Sequence, residues 1–280
     1  MSQMKTRMDQ IARVLGFSTI YTAFGLLMST QGNVTISFAI GTVITALLYG
    51  VVLRYASLNM PISQKARIAV IWFAVYVIQL LNPVLEGLFF STQFEGTPEL
   101  AVGAIIFGSL MTLPTAVAAG VLFKPEGEVT GFRDMKNQFF NNFTSSSFGL
   151  RFILASVLWM GIYFVFGSIV APLVLPYYTA PGSPFNLVLP SIEVILSLQT
   201  LRGFIYTIGV LPLVISLDID KRGLAFIMIS LLYIGGALAV FIISEQFAVF
   251  LRVIHGIELF ADSVFAGLVI SALLGKPKSE

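Results

Sequence analysis

Fourteen of the 16 lysine and arginine residues fall at the chain ends or in every second gap between long apolar runs. The runs lie at about 14–29, 34–53, 68–90, 100–123, 152–174, 192–217, 223–243 and 253–274. A bilayer core about 30 Å thick takes about 20 apolar residues as helix, so eight spans are expected. Numbered alternately, the segments on one side hold Lys5, Arg7 and Arg13; Arg54, Lys65 and Arg67; Lys124, Arg133, Lys136 and Arg151; Lys221 and Arg222; Lys276 and Lys278. The connections on the other side contain Glu95, Glu99 and Glu245. Basic residues stay on the cytoplasmic side of a membrane, so both termini are expected there, in a multi-pass protein of the cell membrane.

Composition agrees. The chain is 57% hydrophobic and 11% charged, against about 25% charged in soluble domains. That excess of apolar surface needs lipid as a partner. The fold class expected is all-α, a polytopic transmembrane helix bundle. Residues 1–123 would carry spans one to four, 124–151 a cytoplasmic or interfacial connection, and 152–280 spans five to eight, all in one membrane domain. The net charge of +2 comes from the cytoplasmic segments and does not indicate nucleic-acid binding. With no cysteine, disulfides, thiol catalysis and cysteine-held metals are excluded. One histidine, His255, excludes multi-histidine metal or haem centres, and no cofactor is expected.

Lys5, Arg7 and Arg13 before an apolar run resemble a signal peptide, but no small-residue cleavage site follows, so an uncleaved first span is expected. The connection 124–151 mixes Phe132, Phe139, Phe140 and Phe143 with basic residues, which suits an interfacial helix. The connection 172–190 holds five prolines, Tyr177 and Tyr178, and reads as a stiff outer cover. Pro83 and Pro212 should kink spans three and six. Ile20-Tyr21-x-x-Phe24-Gly25 in span one is matched by Ile162-Tyr163-x-x-Phe166-Gly167 in span five. Glu86 and Glu99 share their spacing with Glu245 and Glu258. Two readings stand: a 4+4 parallel repeat, as in some transporters, or coincidence among residues common in membranes.

The polar residues inside the spans are the candidate site. Gln79, Asn82 and Glu86 project within roughly 60° on span three, and His255, Glu258 and Asp262 do so on span eight, with Arg252 one turn earlier. Span six has Glu193, Ser197 and Thr200 on one face and Gln199, Arg202 and Tyr206 on another. A charged side chain at mid-span costs about 2.5–3.5 kcal/mol, so such stripes avoid lipid. Asn82, Glu86, Arg202, His255, Glu258 and Asp262 are the expected ligand- or ion-binding residues, gathered in the outer half of the membrane. Carboxylates outnumber cations there, which suits a proton or cation. The plainer reading is an ion pair fastening span six to span eight, Arg202 with Glu258 or Asp262.

The second half resembles an uncharacterised family of prokaryotic multi-span integral membrane proteins. The residues that carry the likeness are Ile162 to Gly167, Ala171-Pro172, Tyr177-Tyr178, Leu201-Arg202-Gly203, Leu211-Pro212, Leu251-Arg252, His255, Glu258 and Ala261-Asp262-Ser263. It covers about residues 150–275 and implies no activity. Membrane-embedded CAAX-type proteases want adjacent glutamates and two histidines, which this chain lacks.

Three functions compete. Transport of a small solute or ion through an outward-facing pocket leads. A membrane-embedded enzyme acting on a lipid or lipid-linked substrate would use His255 as base, Glu258 or Asp262 as its orienter, and Ser191, Ser197 or Ser263 as nucleophile, or a metal on Glu86, His255 and Glu258. An accessory or scaffold subunit would use the charges for packing alone.

Overall fold

The computed structural model describes residues 2–27, 34–90, 98–125, 127–178, 190–238, 242 and 248–276. Among them there are helices and no strand. We number the helices α1 (Ser2–Leu27), α2 (Ile36–Leu58), α3 (Gln64–Tyr76), α4 (Asn82–Phe90), α5 (Pro98–Leu122), α6 (Phe132–Asn141), α7 (Ser145–Tyr178), α8 (Ile192–Ser216), α9 (Lys221–Tyr233) and α10 (Val249–Leu274). A π turn, Val77–Leu81, joins α3 to α4, and another, Ile234–Leu238, extends α9. Seven helices are long and apolar enough to cross a membrane, and they coincide with expected spans two to eight. The chain is therefore an integral, multi-pass membrane protein. The first expected span forms as part of α1 and packs on α2 and α5. α1 stands outside the seven; Lys5, Arg7, Asp9 and Arg13 occupy its first half.

The helix ends that carry the cations meet at one end of the bundle. Arg13 donates to the Leu122 carbonyl at 3.0 Å and Arg67 to the Gly120 carbonyl at 2.9 Å, both at the end of α5. Arg151 reaches the Leu273 carbonyl at 3.4 Å and Lys221 the Ala272 carbonyl at 3.0 Å, at the end of α10. The last carbonyls of a helix have no partner within it, and cations there also offset the helix dipole. Lys276 sits half-buried just beyond α10; burial lowers its pKa and Asp218 opposes this.

The expected interfacial helix is α6. Its Arg133 and Lys136 face outward while Met135 and Phe139 are buried against the bundle. Phe139 packs with Phe140, Phe143 and Phe148 in one aromatic cluster near the cationic end. The first seven residues of the expected outer cover, 172–178, are helix. Pro172 and Pro176 lie inside α7, since a membrane helix tolerates proline where neighbouring groups take up the freed carbonyls. Pro181 and Pro184 fall outside the described residues. Pro212 is likewise inside α8. Pro83 is accommodated by the π turn immediately before it.

One packing pattern occurs twice. The ten buried positions of α2 coincide with ten buried positions of α8 when numbers differ by 157, as for Thr42 and Gln199, Thr45 and Arg202, Tyr49 and Tyr206. The same difference superimposes Ser63 on Asp220, each an N-cap side chain, and the first π turn on the second. Each π turn follows a helix of 13 residues ending in tyrosine. Tyr21 of α1 stacks on Tyr49, and Trp159 of α7 packs on Tyr206 with ring centroids 4.3 Å apart. The counterpart of Tyr21 in packing is thus Trp159, one helical turn before Tyr163, so the Ile-Tyr-x-x-Phe-Gly likeness is out of register with the fold. Glu245, needed for the matched glutamate spacing, lies outside the described residues.

Candidate functional site

The site is built where α4, α7, α8 and α10 approach one another away from the cationic end. Gly203 permits the closest of these contacts, because a Cβ there would fall on the backbone carbonyl of Ser156 in α7. The face of α8 bearing Gln199, Arg202 and Tyr206 turns inward, while Glu193 and Ser197 face outward. That settles which of the two polar faces of this span is packed.

The π turn then decides the partner of Arg202. In a regular α-helix Gln79, Asn82 and Glu86 would share a face. The wider turn at Val77–Leu81 separates them: Gln79 donates to the Tyr21 hydroxyl of α1 at 3.5 Å, while Glu86 turns to α8. The Arg202 guanidinium grips both Glu86 oxygens, at 2.8 and 2.9 Å, and also donates to the Gln199 amide oxygen at 3.0 Å. The expected pairing of Arg202 with Glu258 or Asp262 is therefore replaced by one with Glu86, and it ties span six to span three. The pair is lopsided in burial: the Arg202 side chain is 6% exposed and that of Glu86 38%.

On α10, His255 Nδ1 and a Glu258 oxygen are 2.8 Å apart. Glu258 lies against α7 beside Gly167, where an added Cβ would sit 3.6 Å from its carboxylate. Asp262, one turn deeper, is 2% exposed and one of its oxygens has no partner. Glu258, Arg202 and Glu86 all lie within its electrostatic reach, and Tyr163 of α7 is within reach of the whole group. Asn82 is fully buried with neither amide atom bonded, and Gln199 Nε2, Arg202 Nε and Trp159 Nε1 are also buried without partners. Of the expected site residues, Glu86 pairs with Arg202, and Asp262 lies within electrostatic reach of both and of Glu258. His255 joins through Glu258, and Asn82 stands one turn before Glu86 on α4. Trp159 and Tyr163 were not anticipated. Their only trace in sequence is aromatic character on a helix that also carries Gly167.

Of the expected enzyme constellations, only the His255–Glu258 pair assembles among the described residues. No three acidic or histidine side chains come together to hold a metal, and Glu86, one member of the expected set, is taken by Arg202. The Ser263 hydroxyl donates to the Leu259 carbonyl of its own helix, and Ser191 and Ser197 face outward.

The twofold packing pattern bears on why the charges are present. Where α8 has Gln199 and Arg202, α2 has Thr42 and Thr45, equally buried. Six buried positions of α5, from Thr112 to Phe123, match six of α10, from Ser263 to Leu274, when numbers differ by 151. In that register Asp262 stands where α5 has the partly buried Met111, and Glu258 where it has Phe107, which is 51% exposed. α2 and α5 carry no charge at these positions, while Glu86 and Asn82 reach the cluster from α4, in the first half.

Comparisons of the chain with protein-family models, curated proteins and solved structures found no match.

Proposed function

We propose that the protein is a transporter of a small solute or ion, with eight spans, both termini cytoplasmic, and its binding pocket in the outer half around Glu86, Arg202, Glu258 and Asp262. The observation that carries this reading is the buried polar cluster itself, in which Asn82, Gln199, Arg202 and Asp262 keep buried polar atoms without partners. An unpartnered buried polar atom costs about 1–3 kcal/mol. A ligand that uses these atoms offsets that cost. Three carboxylates stand against one guanidinium and one imidazole, which favours a monovalent cation, the proton included.

The doubled packing pattern supports two copies of a four-span unit in parallel, the arrangement on which many carriers rock between states. The eighth span is α1, which runs antiparallel to α2: Gly50 lies beside Phe17 and Gly25 beside Thr42. The gathering of cations at one end supports a cytoplasmic placing of that end. The His255–Glu258 pair is the one feature that favours an enzyme acting on a lipid, as a base held by a carboxylate.

The test is electrical. Proteoliposomes on a solid-supported membrane, exposed in turn to jumps in proton, sodium and potassium concentration, are expected to give a transient current for one of these ions. Asp262→Asn should reduce that current at least tenfold. Absence of any current from the unaltered protein, or equal currents from both proteins, would refute cation transport at this site.

A further inference from the structure

A second feature lies on the far side of α10 from the carboxylates. A groove of about 490 Å³ runs between α9 with its π turn and the outer face of α10. Ligand pockets span about 300–1,000 Å³, so the groove is large enough to hold one. Its walls are apolar except for Arg252 and the Tyr233 hydroxyl, with Leu238, Ile257 and Phe260 among them. Ile257 and Phe260 are 62% and 49% exposed, so the groove opens to the surroundings of the bundle. Gly256 leaves its floor open, the nearest atom to an added Cβ being the Tyr233 hydroxyl at 4.0 Å. Arg252 Nε is buried without an acceptor, and among the described residues no carboxylate lies within ion-pair distance of this side chain.

Arginine stays charged under all ordinary conditions, and a charge facing lipid is costly unless an anion meets it. Arg252 stands in the first turn of α10, at the end of the bundle opposite the cations, where lipid headgroups would lie. Phe260 is eight residues farther along the helix, about 12 Å deeper. A cation at headgroup depth above an apolar channel open to the side matches one kind of molecule. We infer that the groove binds an anionic phospholipid, its phosphate on Arg252 and one acyl chain lying along Gly256, Ile257 and Phe260. The site is separate from the carboxylate cluster and does not depend on what that cluster transports.

The full chain, purified in detergent, is mixed with phosphatidylglycerol or with phosphatidylcholine of the same chains, and retained lipid is counted by native mass spectrometry. The unaltered protein is expected to retain one phosphatidylglycerol preferentially. Arg252→Gln should lower that retention about fivefold, the worth of one basic residue at a charged headgroup. Gly256→Leu, which fills the floor and keeps the cation, should lower retention of both lipids. Equal retention of phosphatidylglycerol by the unaltered protein and Arg252→Gln would overturn the assignment. If Arg252→Gln does not fold, Gly256→Leu decides: unchanged retention overturns the proposal, reduced retention upholds it. Displacement of the lipid by inorganic phosphate at equal concentration would show a free-anion site and overturn it too.

Discussion

Glu86→Met is expected to destabilise the protein by about 3 kcal/mol, the lower part of the range for breaking a buried ion pair. The loss comes from what is left behind. Arg202 is 6% exposed and would keep its charge with only the Gln199 oxygen to receive it. Arg202→Met should cost less, because Glu86 is 38% exposed and can turn outward. Replacing both should return stability close to that of the unaltered protein, since an apolar pair of similar volume has no charge to desolvate. The double variant should nevertheless lose its cation-evoked current. Denaturant titration in mixed micelles reads the first three effects and the proteoliposome current the last. A double variant that is stable and fully active would return the charges to a packing role.

The second large effect is at Gly203. A Cβ there meets the Ser156 carbonyl oxygen and lies 3.0 Å from the Trp159 Cβ, so α7 and α8 touch through backbone. Backbone cannot swing aside as a side chain can. Gly203→Ala should cost at least about 3 kcal/mol, the upper end for overpacking, and Gly203→Leu should not give a folded protein. The change also parts Trp159 from Tyr206 and widens the site, so binding should weaken along with stability. Gly161→Ala is the control on α7: nothing lies within 4 Å of its Cβ, and removing a helical glycine should stabilise by up to about 1 kcal/mol. A melting temperature for Gly203→Ala equal to that of the unaltered protein would show that the two helices are farther apart than described. The corresponding residue on α2 is already Ala46, so this close approach has no counterpart at that position of α2.

Seven of the eight expected spans and the gathering of cations at one end were legible because both depend on composition along the chain, which hydropathy and charge report directly. The inward residues of the site were legible for the same reason: Arg202 and Asp262 are too costly to face lipid. Their partners were not. Choosing Glu86 for Arg202 needed the π turn at Val77–Leu81, and nothing in the local sequence except Pro83 hints at the extra residue in that turn. The doubled packing was hidden for a different reason. Burial places Arg202 where α2 has Thr45 and Trp159 where α1 has Tyr21, pairs with little chemical likeness, whereas the identities at Tyr21 and Tyr163 fall one turn out of register. Register in packing is set by which positions are small or inward, and residue identity records that poorly. Arg252 was visible as a charge in a span, but its groove depends on Gly256 and the second π turn lying side by side.

If the cluster transports a cation, water from the outer side reaches the buried carboxylates. The chain has no cysteine, so one introduced thiol is the only thiol. Asp262→Cys, treated in intact cells with a small membrane-impermeant thiol reagent, should be modified, because a pocket that loads its ligand from outside must open to this position. Ser191→Cys, at the exposed start of α8, serves as the accessible control. Modification at both positions is the result predicted here. Modification at 191 with none at 262 would contradict the account and leave the cluster as a dry set of buried contacts.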